Sequence, residues 1–386
     1  MGGKSGDSAG GKAQDSNSAT GGTPESPLGS GGNGGESPLG SGGEGGEPPL
    51  VLPGGEGGAG GEGGEAGAGG AGPACTADLA TDPENCGVCG HSCLGGQCKS
   101  ARCTPVELAK DQLQLQGLVG DGSYVYWVTS SQNQTGKVLK VPFAGGQVTT
   151  LATNQPNPGG LVLDQGNLFW SNVYCCSSTI MKVSASGNGS ATPIASGQAG
   201  PQGLTLYDGA VYWPNHVVGG TLMMAATSGG NATPIVSNLD RPAGVAVDST
   251  HVYWIEDVAG IIRKAPRAGG ASTLVASGQT APNLLLASGK DLYWRSGTTM
   301  VRLALNASTP EPYQPAELDI TSMTLDGQNI YWAAKEGIKM APLKGGSATT
   351  LVTAKETGGS AAALWVDSTS VYWLDYKAGR VVRMAR

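Results

Sequence analysis

The chain has 386 residues, a formal net charge of −7 and 66 glycines, and only 5% of its residues are aromatic. It contains no run of Lys and Arg with interleaved aromatic residues, so we do not expect nucleic-acid binding. It also lacks a run of about twenty apolar residues, so we expect no transmembrane segment.

Residues 1–74 consist mainly of Gly, Ser, Pro, Ala and Glu and include no aromatic side chain. The segment ESPLGSGGNGG from Glu25 is repeated as ESPLGSGGEGG from Glu36, which is how low-complexity segments expand. Such a segment cannot bury enough apolar surface to offset the entropy of ordering. We therefore predict that residues 1–74 form a disordered tether.

Six of the eight cysteines fall between residues 75 and 103, namely Cys75, Cys86, Cys89, Cys93, Cys98 and Cys103. A short segment so rich in cysteine predicts a disulfide-stapled module at 75–103, with fifteen pairings open. A zinc site of Cys86, Cys89, His91 and Cys93 is the alternative, although the usual second ligand pair is missing. The NCGVCGHSC pattern also resembles a small module found beside Gly-rich linkers in bacterial surface proteins and lipoproteins.

Disulfides form in oxidising compartments, so the cysteines predict an extracellular or cell-surface protein. The first residues, MGGKSGDSAGGK, lack the apolar core of a signal peptide and taken alone would favour the cytoplasm. We expect that an export signal, and with it a possible lipid anchor, is absent from this start of the chain.

The rest of the chain, 104–386, is a repeat of 38 to 43 residues marked by one tryptophan in each unit. The tryptophans are Trp127, Trp170, Trp213, Trp254, Trp294, Trp332 and Trp373. Each unit reads as four short strands, as in PAGVAVD, HVYWIE, GIIRKAP and STLVAS from Pro242 onwards. A period near forty with several strands per unit predicts an all-β fold, a β-propeller of seven blades.

Three further patterns indicate how this propeller is built. In VYW the Tyr and Trp point to opposite faces of a strand, so both can fill the space between blades.

Aspartates stand six residues before five of the tryptophans, where a carboxylate most often bonds turn amides; they are Asp121, Asp164, Asp248, Asp326 and Asp367. The last unit lacks a fourth strand, and TPVELA from Thr104 matches one, so we expect it to close the ring.

The units YWIEDVAGIIRKAPRAGG and YWLDYKAGRVVRMAR resemble YWTD repeats of LDL-receptor-type propellers, and more loosely NHL repeats and the virginiamycin B lyase propeller. The resemblance covers roughly 104–386. It implies a propeller, although YWTD propellers usually have six blades. The Asp two places after Trp is kept only at Asp375, and the chemically similar Glu256 stands at the corresponding position after Trp254. The resemblance therefore says little about a ligand.

Propellers bind ligands mainly at the channel mouth and on the loops that join second to third strands and blade to blade. On these loops the predicted binding residues are Cys175, Cys176, His216, Glu256, Arg295, Lys335 and Asp375. Adjacent Cys175 and Cys176 predict a vicinal disulfide, with reduced thiols or a link to the Cys-rich module as alternatives. His216 is the one plausible general base, but a single loop histidine is usually just solvated.

The sequence shows no nucleophile elbow, zinc-protease motif or phosphate loop, and we assign no catalytic, metal or cofactor residue. We expect an exported, surface-tethered, monomeric binding propeller with a protein or carbohydrate ligand. The alternative is a lyase or a lactonase-like hydrolase with a site at the channel mouth, using a divalent cation and carboxylates such as Glu256 or Asp375.

Overall fold

The computed structural model describes residues 76–130, 135–174, 178–314, 316–317 and 319–386. This part of the chain is all-β, with 30 strands and one helix of four residues. None of its helical structure is long and apolar enough to cross a membrane. The predicted tether at 1–74 lies outside the described residues, as do Cys75, Cys175 and Cys176.

The strands form seven four-stranded sheets, the blades, and one two-stranded sheet. The two-stranded sheet pairs β1 (Cys98–Lys99) with β2 (Arg102–Cys103), and β3 (Val106–Ala109) follows it. Blade 1 contains β4 (Leu115–Gly120), β5 (Tyr124–Thr129), β6 (Gly136–Pro142) and β7 (Thr149–Gln155). Blade 2 contains β8 (Pro158–Asp164), β9 (Asn167–Asn172), β10 (Ser178–Ser184) and β11 (Thr192–Gln198). Blade 3 contains β12 (Thr205–Tyr207), β13 (Ala210–Asn215), β14 (Val218–Ala226) and β15 (Thr233–Asp240).

Blade 4 contains β16 (Pro242–Val247), β17 (His251–Glu256), β18 (Ile261–Pro266) and β19 (Thr273–Ala276). Blade 5 contains β20 (Asn283–Ala287), β21 (Asp291–Ser296), β22 (Thr299–Ala304) and β23 (Glu311–Pro312). Blade 6 contains β24 (Ser322–Leu325), β25 (Asn329–Ala334), β26 (Gly337–Pro342) and β27 (Thr349–Thr353), which is followed by α1 (Ala354–Thr357). Blade 7 contains β28 (Ala361–Val366), β29 (Ser370–Asp375), β30 (Arg380–Ala385) and, from the other end of the fold, β3.

The blades form a closed ring. The first strands of consecutive blades contact one another in an unbroken circle from β4 through β28 and back to β4. They therefore surround the axis of a seven-bladed β-propeller, and the fourth strands lie at its rim. Strand β3 pairs antiparallel with β30, with Val106 opposite Arg383 and Ala109 opposite Val381. The predicted closure by the segment from Thr104 is confirmed, and with it the count of seven.

The hydrophobic core is divided into seven clusters, one at each junction between blades. Tyr126 of blade 1 shares a cluster with Trp170 of blade 2, and Tyr372 of blade 7 shares one with Trp127 of blade 1. All seven repeat tryptophans are fully buried, as the sequence predicts. Because each indole fills the space between two sheets, truncating one to alanine is expected to cost about 3–5 kcal/mol.

The repeated aspartates hold the turn between first and second strands. Asp248 Oδ1 accepts the backbone N–H groups of Thr250 (2.7 Å) and His251 (2.8 Å), and Oδ2 accepts the Tyr253 hydroxyl (2.6 Å). Burial opposes ionisation of Asp248, but these hydrogen bonds outweigh it and lower the carboxyl pKa. The same Asp–Tyr bond occurs in Asp121–Tyr126, Asp326–Tyr331 and Asp367–Tyr372. The predicted structural role is confirmed at these four turns.

A glutamine at the end of a rim strand, or three residues beyond it, links neighbouring blades. Gln155 of blade 1 accepts the indole N–H of Trp170 in blade 2 (3.2 Å) and donates to the carbonyl of Thr153 in its own blade (2.7 Å). Gln112, Gln198 and Gln279 accept the indole N–H groups of Trp127, Trp213 and Trp294 in the same way. Each also donates to the backbone carbonyl two residues before it. We call this arrangement the glutamine clamp.

Three junctions lack the clamp. Trp254 instead donates to Glu256 of its own strand (3.2 Å). The indole nitrogens of Trp332 and Trp373 have no hydrogen-bond partner among the described residues, and Gly358 stands fifteen residues before Trp373. The two junctions flanking blade 6 are therefore held without this hydrogen bond.

The Cys-rich region is disulfide-bonded, as predicted. Cys86 pairs with Cys98 and Cys93 with Cys103, and Cys89 is disulfide-bonded as well. These bonds use the sulfurs of three of the four ligands in the alternative zinc site, which is therefore not formed in the disulfide-bonded chain.

Candidate binding face

The propeller has two ends of different chemistry. We call the tip face the end formed by the loops that join second to third strands and by the connections between blades. Its described second-to-third loop residues are 130, 135, 173–174, 216–217, 257–260, 297–298, 335–336 and 376–379. The opposite end carries the aspartate turns and the hairpins between third and fourth strands, and His251 lies there.

Exposed apolar side chains are concentrated on the tip face. Among the described residues nine large hydrophobic side chains are exposed, and six of these are on the tip face: Leu113, Tyr174, Val217, Val218, Val258 and Tyr376. The others are Val88 and Leu94 in the Cys-rich region and Leu274 on the rim. Exposed apolar groups gathered on one end of a molecule are typical of an interaction surface.

The loop of blade 3 exposes two valine side chains to solvent. Strand β13 ends at Asn215, and the turn is tight because Gly220 N–H donates to the Val217 carbonyl (2.9 Å). A Cβ on Gly220 would lie 2.2 Å from the Asn215 carbonyl oxygen, so only glycine fits there. The result is that Val218 is 73% exposed and Val217 is 37% exposed.

The neighbouring loop of blade 4 presents Val258 and is tied to the loop of blade 3. Asp257 Oδ1 accepts the Val258 backbone N–H (2.8 Å), which fixes a loop tip whose Val258 side chain is 63% exposed. Asp257 Oδ2 lies 3.1 Å from His216 Nε2, so one hydrogen bond joins the loops of two blades. We call Val217, Val218 and Val258 the valine patch; His216 and Asp257 directly precede Val217 and Val258 in the chain.

A second apolar group lies where the ring closes. Tyr376 is 49% exposed, and the Lys377 ammonium lies 5.8 Å from the centre of its ring. Leu113, in the connection from β3 to β4, is 78% exposed and follows Gln112, whose N–H donates to the Gly379 carbonyl (2.9 Å). The tip face therefore carries apolar side chains on opposite sides of the channel mouth.

Two of the predicted binding residues are buried and bonded within the fold. Glu256 is 8% exposed and forms an ion pair with Arg263 (3.2 Å) in addition to its bond from Trp254. Asp375 is 1% exposed; burial opposes its ionisation, but bonds from Ser360 and Arg380 lower its pKa.

The other predicted binding residues are placed differently. Arg295 is partly buried and donates to the Ile320 carbonyl, whereas Lys335 is exposed at a loop tip. His216 is partly buried beside Asp257. Cys175 and Cys176 fall outside the described residues, so the predicted vicinal disulfide stays a prediction.

Sequence reasoning selected charged and sulfur-bearing residues and missed the apolar ones. The signal is present in the sequence, because VV at 217–218, Val258 and Tyr376 directly follow the tryptophan strands, at positions where a tight loop usually carries polar residues. The His216–Asp257 contact was not predictable, since it joins two loops 41 residues apart.

No protein-family model matches the chain, and no curated protein matches it. Among solved structures, one described as YCF48 bound to D1 peptide shares 10% identity, with a TM-score of 0.56 over 73% of this chain and 96% of that one. A catalytically inactive virginiamycin B lyase from Staphylococcus aureus with quinupristin shares 11% identity, with a TM-score of 0.56 over 73% and 98%. The WD40 β-propeller domain of Doa1 shares 13% identity, with a TM-score of 0.56 over 73% and 97%. At these identities the likeness shows the β-propeller fold alone.

Proposed function

We propose that the protein is an exported, surface-tethered binding propeller whose tip face takes a protein ligand. The observation that carries this proposal is the grouping of exposed apolar side chains on one face of the ring. Protein interfaces are built around apolar and aromatic anchors in a polar surround, and the tip face offers both, with exposed Arg241, Lys335 and Lys377 around its valines and tyrosines.

The charges beside the valine patch favour an apolar contact over recognition of a charged ligand. His216 is paired with Asp257 and Glu256 with Arg263, and the exposed Asp240 and Arg241 are of opposite sign. The charged groups that a ligand meets at the valine patch are therefore hydrogen-bonded within the fold or stand beside a residue of opposite sign. A complementary apolar surface on a protein is the kind of ligand that such a patch fits.

Apart from the His216–Asp257 pair, the described tip-face groups suited to catalysis do not gather into a cluster. Among the described residues, one group of three potential metal ligands lies close together, and it consists of the disulfide-bonded Cys86, Cys93 and Cys103. The carboxylates of Glu256 and Asp375 are bonded internally. This arrangement supports binding over the lyase or hydrolase alternative.

The proposed tether would leave the tip face directed outward. Strand β30 begins at the tip face and ends opposite Ser370 at the other end, and β3 runs antiparallel to it. The chain therefore enters the propeller at the end away from the tips. We place the domain boundaries at 74 and 103. A flexible segment of about seventy residues would then hold the ring on the order of 50 Å from an anchor. The disulfides support an oxidising, extracytoplasmic location.

The experiment uses the full chain in its disulfide-bonded form, immobilised through its N-terminus. A phage-displayed library of random peptides serves as the protein-like probe, and a glycan array serves as the carbohydrate probe. We expect peptides enriched on the wild-type protein to lose at least tenfold in affinity, about 1.4 kcal/mol, on a Val218→Asp, Val258→Asp double variant.

Leu274→Asp is the matched control, because Leu274 is 56% exposed on the rim and lies off the tip face. It should leave binding unchanged. Peptides that bind both variants equally, or ligands found only on the glycan array, would contradict a protein ligand at the valine patch.

The His216–Asp257 contact is the one observation that favours an enzyme, because a carboxylate at 3.1 Å can orient a general base. A thermal-shift screen against divalent cations, followed by His216→Ala in any activity that is found, tests this second candidate. Loss of activity without loss of peptide binding would establish it.

A further inference from the structure

The Cys-rich region spans one of the three junctions that lack the glutamine clamp, the junction of blades 6 and 7. At the junction of blades 6 and 7 the clamp position is Gly358, and the Trp373 indole nitrogen has no hydrogen-bond partner among the described residues. The described Cys-rich residues, 76–103, pack beside this junction, and their disulfides share a buried cluster with Tyr331 of blade 6 and Trp373 of blade 7.

Two arginines connect the region to the blades on either side. Arg102 donates to the Leu351 carbonyl on the rim strand of blade 6 (2.8 Å) and lies 3.8 Å from Glu356 of α1. Arg383 of blade 7 is 6% exposed; it donates to the Leu94 carbonyl of the Cys-rich region and to the Phe143 carbonyl of blade 1 (2.6 Å). One small region is thereby bonded to blades 6 and 7 and, through Arg383, linked to blade 1.

The same region fixes the start of the closing strand. Cys103 forms a disulfide with Cys93 and stands three residues before β3 begins. Thr104 N–H donates to the Gln97 carbonyl (2.8 Å), and Thr104 Oγ1 accepts the Gln97 N–H (3.0 Å). The direction in which the chain enters blade 7 is therefore set inside the disulfide-bonded region.

The closing strand by itself is short. It has four residues, of which Leu108 and Ala109 are buried, and it is the one strand of blade 7 that is distant in sequence from the rest. Such an edge strand gains little from its own burial, while its pairing requires closure of a loop that is nearly the whole propeller.

We infer that the Cys-rich region is a disulfide-held latch that keeps the propeller ring closed. While Cys86–Cys98 and Cys93–Cys103 are intact, the region holds β3 against β30 and bridges blades 6 and 7. Reduction by an external dithiol takes two electrons and two protons for each disulfide, gives two thiols, and leaves the dithiol as a disulfide. Without the bonds the region loses its structure and β3 is released.

The experiment measures hydrogen exchange along the full oxidised chain before and after reduction by an added dithiol under native conditions. We expect exchange at 106–109 and 380–385 to rise by about tenfold or more on reduction, while exchange in blades 2–4 changes little. We also expect Tm to fall by about 5–10 °C, the usual effect of losing a disulfide in a domain of this size. Faster exchange confined to 76–103 would overturn the inference, because the region would then be an appendage.

Two variants separate the bridge from the disulfides. Arg102→Ala removes the bond to blade 6 and keeps every cysteine, and it should speed exchange at 106–109. Arg267→Ala is the control, since Arg267 pairs with Asp208 across the junction of blades 3 and 4 (3.3 Å), far from the latch. Equal exchange at 106–109 in the two variants would show that the Cys-rich region does not hold the closing strand through blade 6.

Discussion

Asp164 and Phe169 form an incomplete copy of a contact that four other blades make in full. In those blades a tyrosine hydroxyl five residues after the aspartate donates to its Oδ2, at 2.5 to 3.0 Å. Blade 2 has phenylalanine at that position, and Asp164 Oδ2 is buried with no hydrogen-bond partner among the described residues.

Phe169→Tyr is therefore expected to stabilise the protein. The new hydroxyl would offer a donor to the unpartnered Asp164 Oδ2, and a buried acceptor that gains a partner contributes about 1 kcal/mol. Thermal unfolding should show a rise in Tm of about 2–4 °C.

Tyr253→Phe makes the reverse change at a complete copy of the contact and is the matched comparison. It leaves Asp248 without the Tyr253 hydroxyl, so it should lower the unfolding free energy by about 1–3 kcal/mol. If the two substitutions moved stability in the same direction, the missing hydroxyl would not be the cause.

Gln155→Ala should weaken the junction between blades 1 and 2. The substitution removes one of two acceptors of the buried Trp170 indole N–H, which keeps its bond to Asn172 Oδ1 (3.0 Å). It also removes the acceptor of the Asn172 side-chain amide, which donates to the same Gln155 oxygen (2.8 Å), so we expect a loss of about 1–2 kcal/mol in urea unfolding. Gln147 is an exposed glutamine in a hairpin of the same blade, and Gln147→Ala should stay within about 0.5 kcal/mol of wild type.

The ring could be predicted from the sequence because its main contacts recur with a fixed period. Each unit contains one Trp strand, so counting these strands gives the number of blades. The segment TPVELA precedes the first unit and resembles a fourth strand, so it predicts the strand that closes the ring. The glutamine clamp was missed although Gln112, Gln155, Gln198 and Gln279 each stand fifteen residues before a tryptophan. A clamp glutamine belongs to one blade and its tryptophan to the next, so comparing units one at a time hides the pair.

The candidate binding face was only partly predictable. The sequence indicates which loops share the tip face, since they follow equivalent strands. It does not indicate which charged residues beside these loops form ion pairs within the fold. Glu256 and Asp375 each end a strand just before a loop, yet both are buried in ion pairs with Arg263 and Arg380. Exposure of Val218 depends on the tight turn at Gly220, which is a property of the folded loop.

Acid should destabilise the protein through Asp248 and Asp375. Burial opposes ionisation of both, but hydrogen bonds, and at Asp375 also the Arg380 charge, lower both folded-state pKa values below 3.8. A lowered folded pKa means that the stabilisation is present above about pH 4 and is lost as pH falls through the folded pKa. Urea unfolding between pH 7 and pH 2.5 measures this loss.

Asp248→Asn isolates one of these contributions. It should cost about 1–3 kcal/mol at pH 7, and its difference from wild type should shrink as the pH falls and the wild-type carboxylate takes up a proton. Asp208→Asn alters an exposed aspartate and should cost no more than about 1 kcal/mol at pH 7. A deficit in Asp248→Asn that is constant with pH would point to a steric effect.

Glycines in the tip-face loops keep the clamp in place, and Gly260 shows why. Its φ is +63°, and a Cβ there would lie 2.3 Å from the backbone carbonyl oxygen of Gln279, the glutamine that accepts the Trp294 indole N–H (2.8 Å). Gly260→Ala therefore adds a collision with the clamp backbone to the left-handed strain of about 1–2 kcal/mol.

Gly278→Ala separates the two effects, because Gly278 has a similar φ of +69° and nothing within 4 Å of the added Cβ. We expect Gly278→Ala to lose only the strain energy in urea unfolding, and Gly260→Ala to lose about 1–3 kcal/mol more, as overpacked buried sites do. Gly260→Ala should also shift the fluorescence of Trp294, since moving Gln279 breaks the bond to its indole. Equal losses in the two variants would mean that the loop yields to the new methyl group and that the clamp does not depend on the close approach at Gly260.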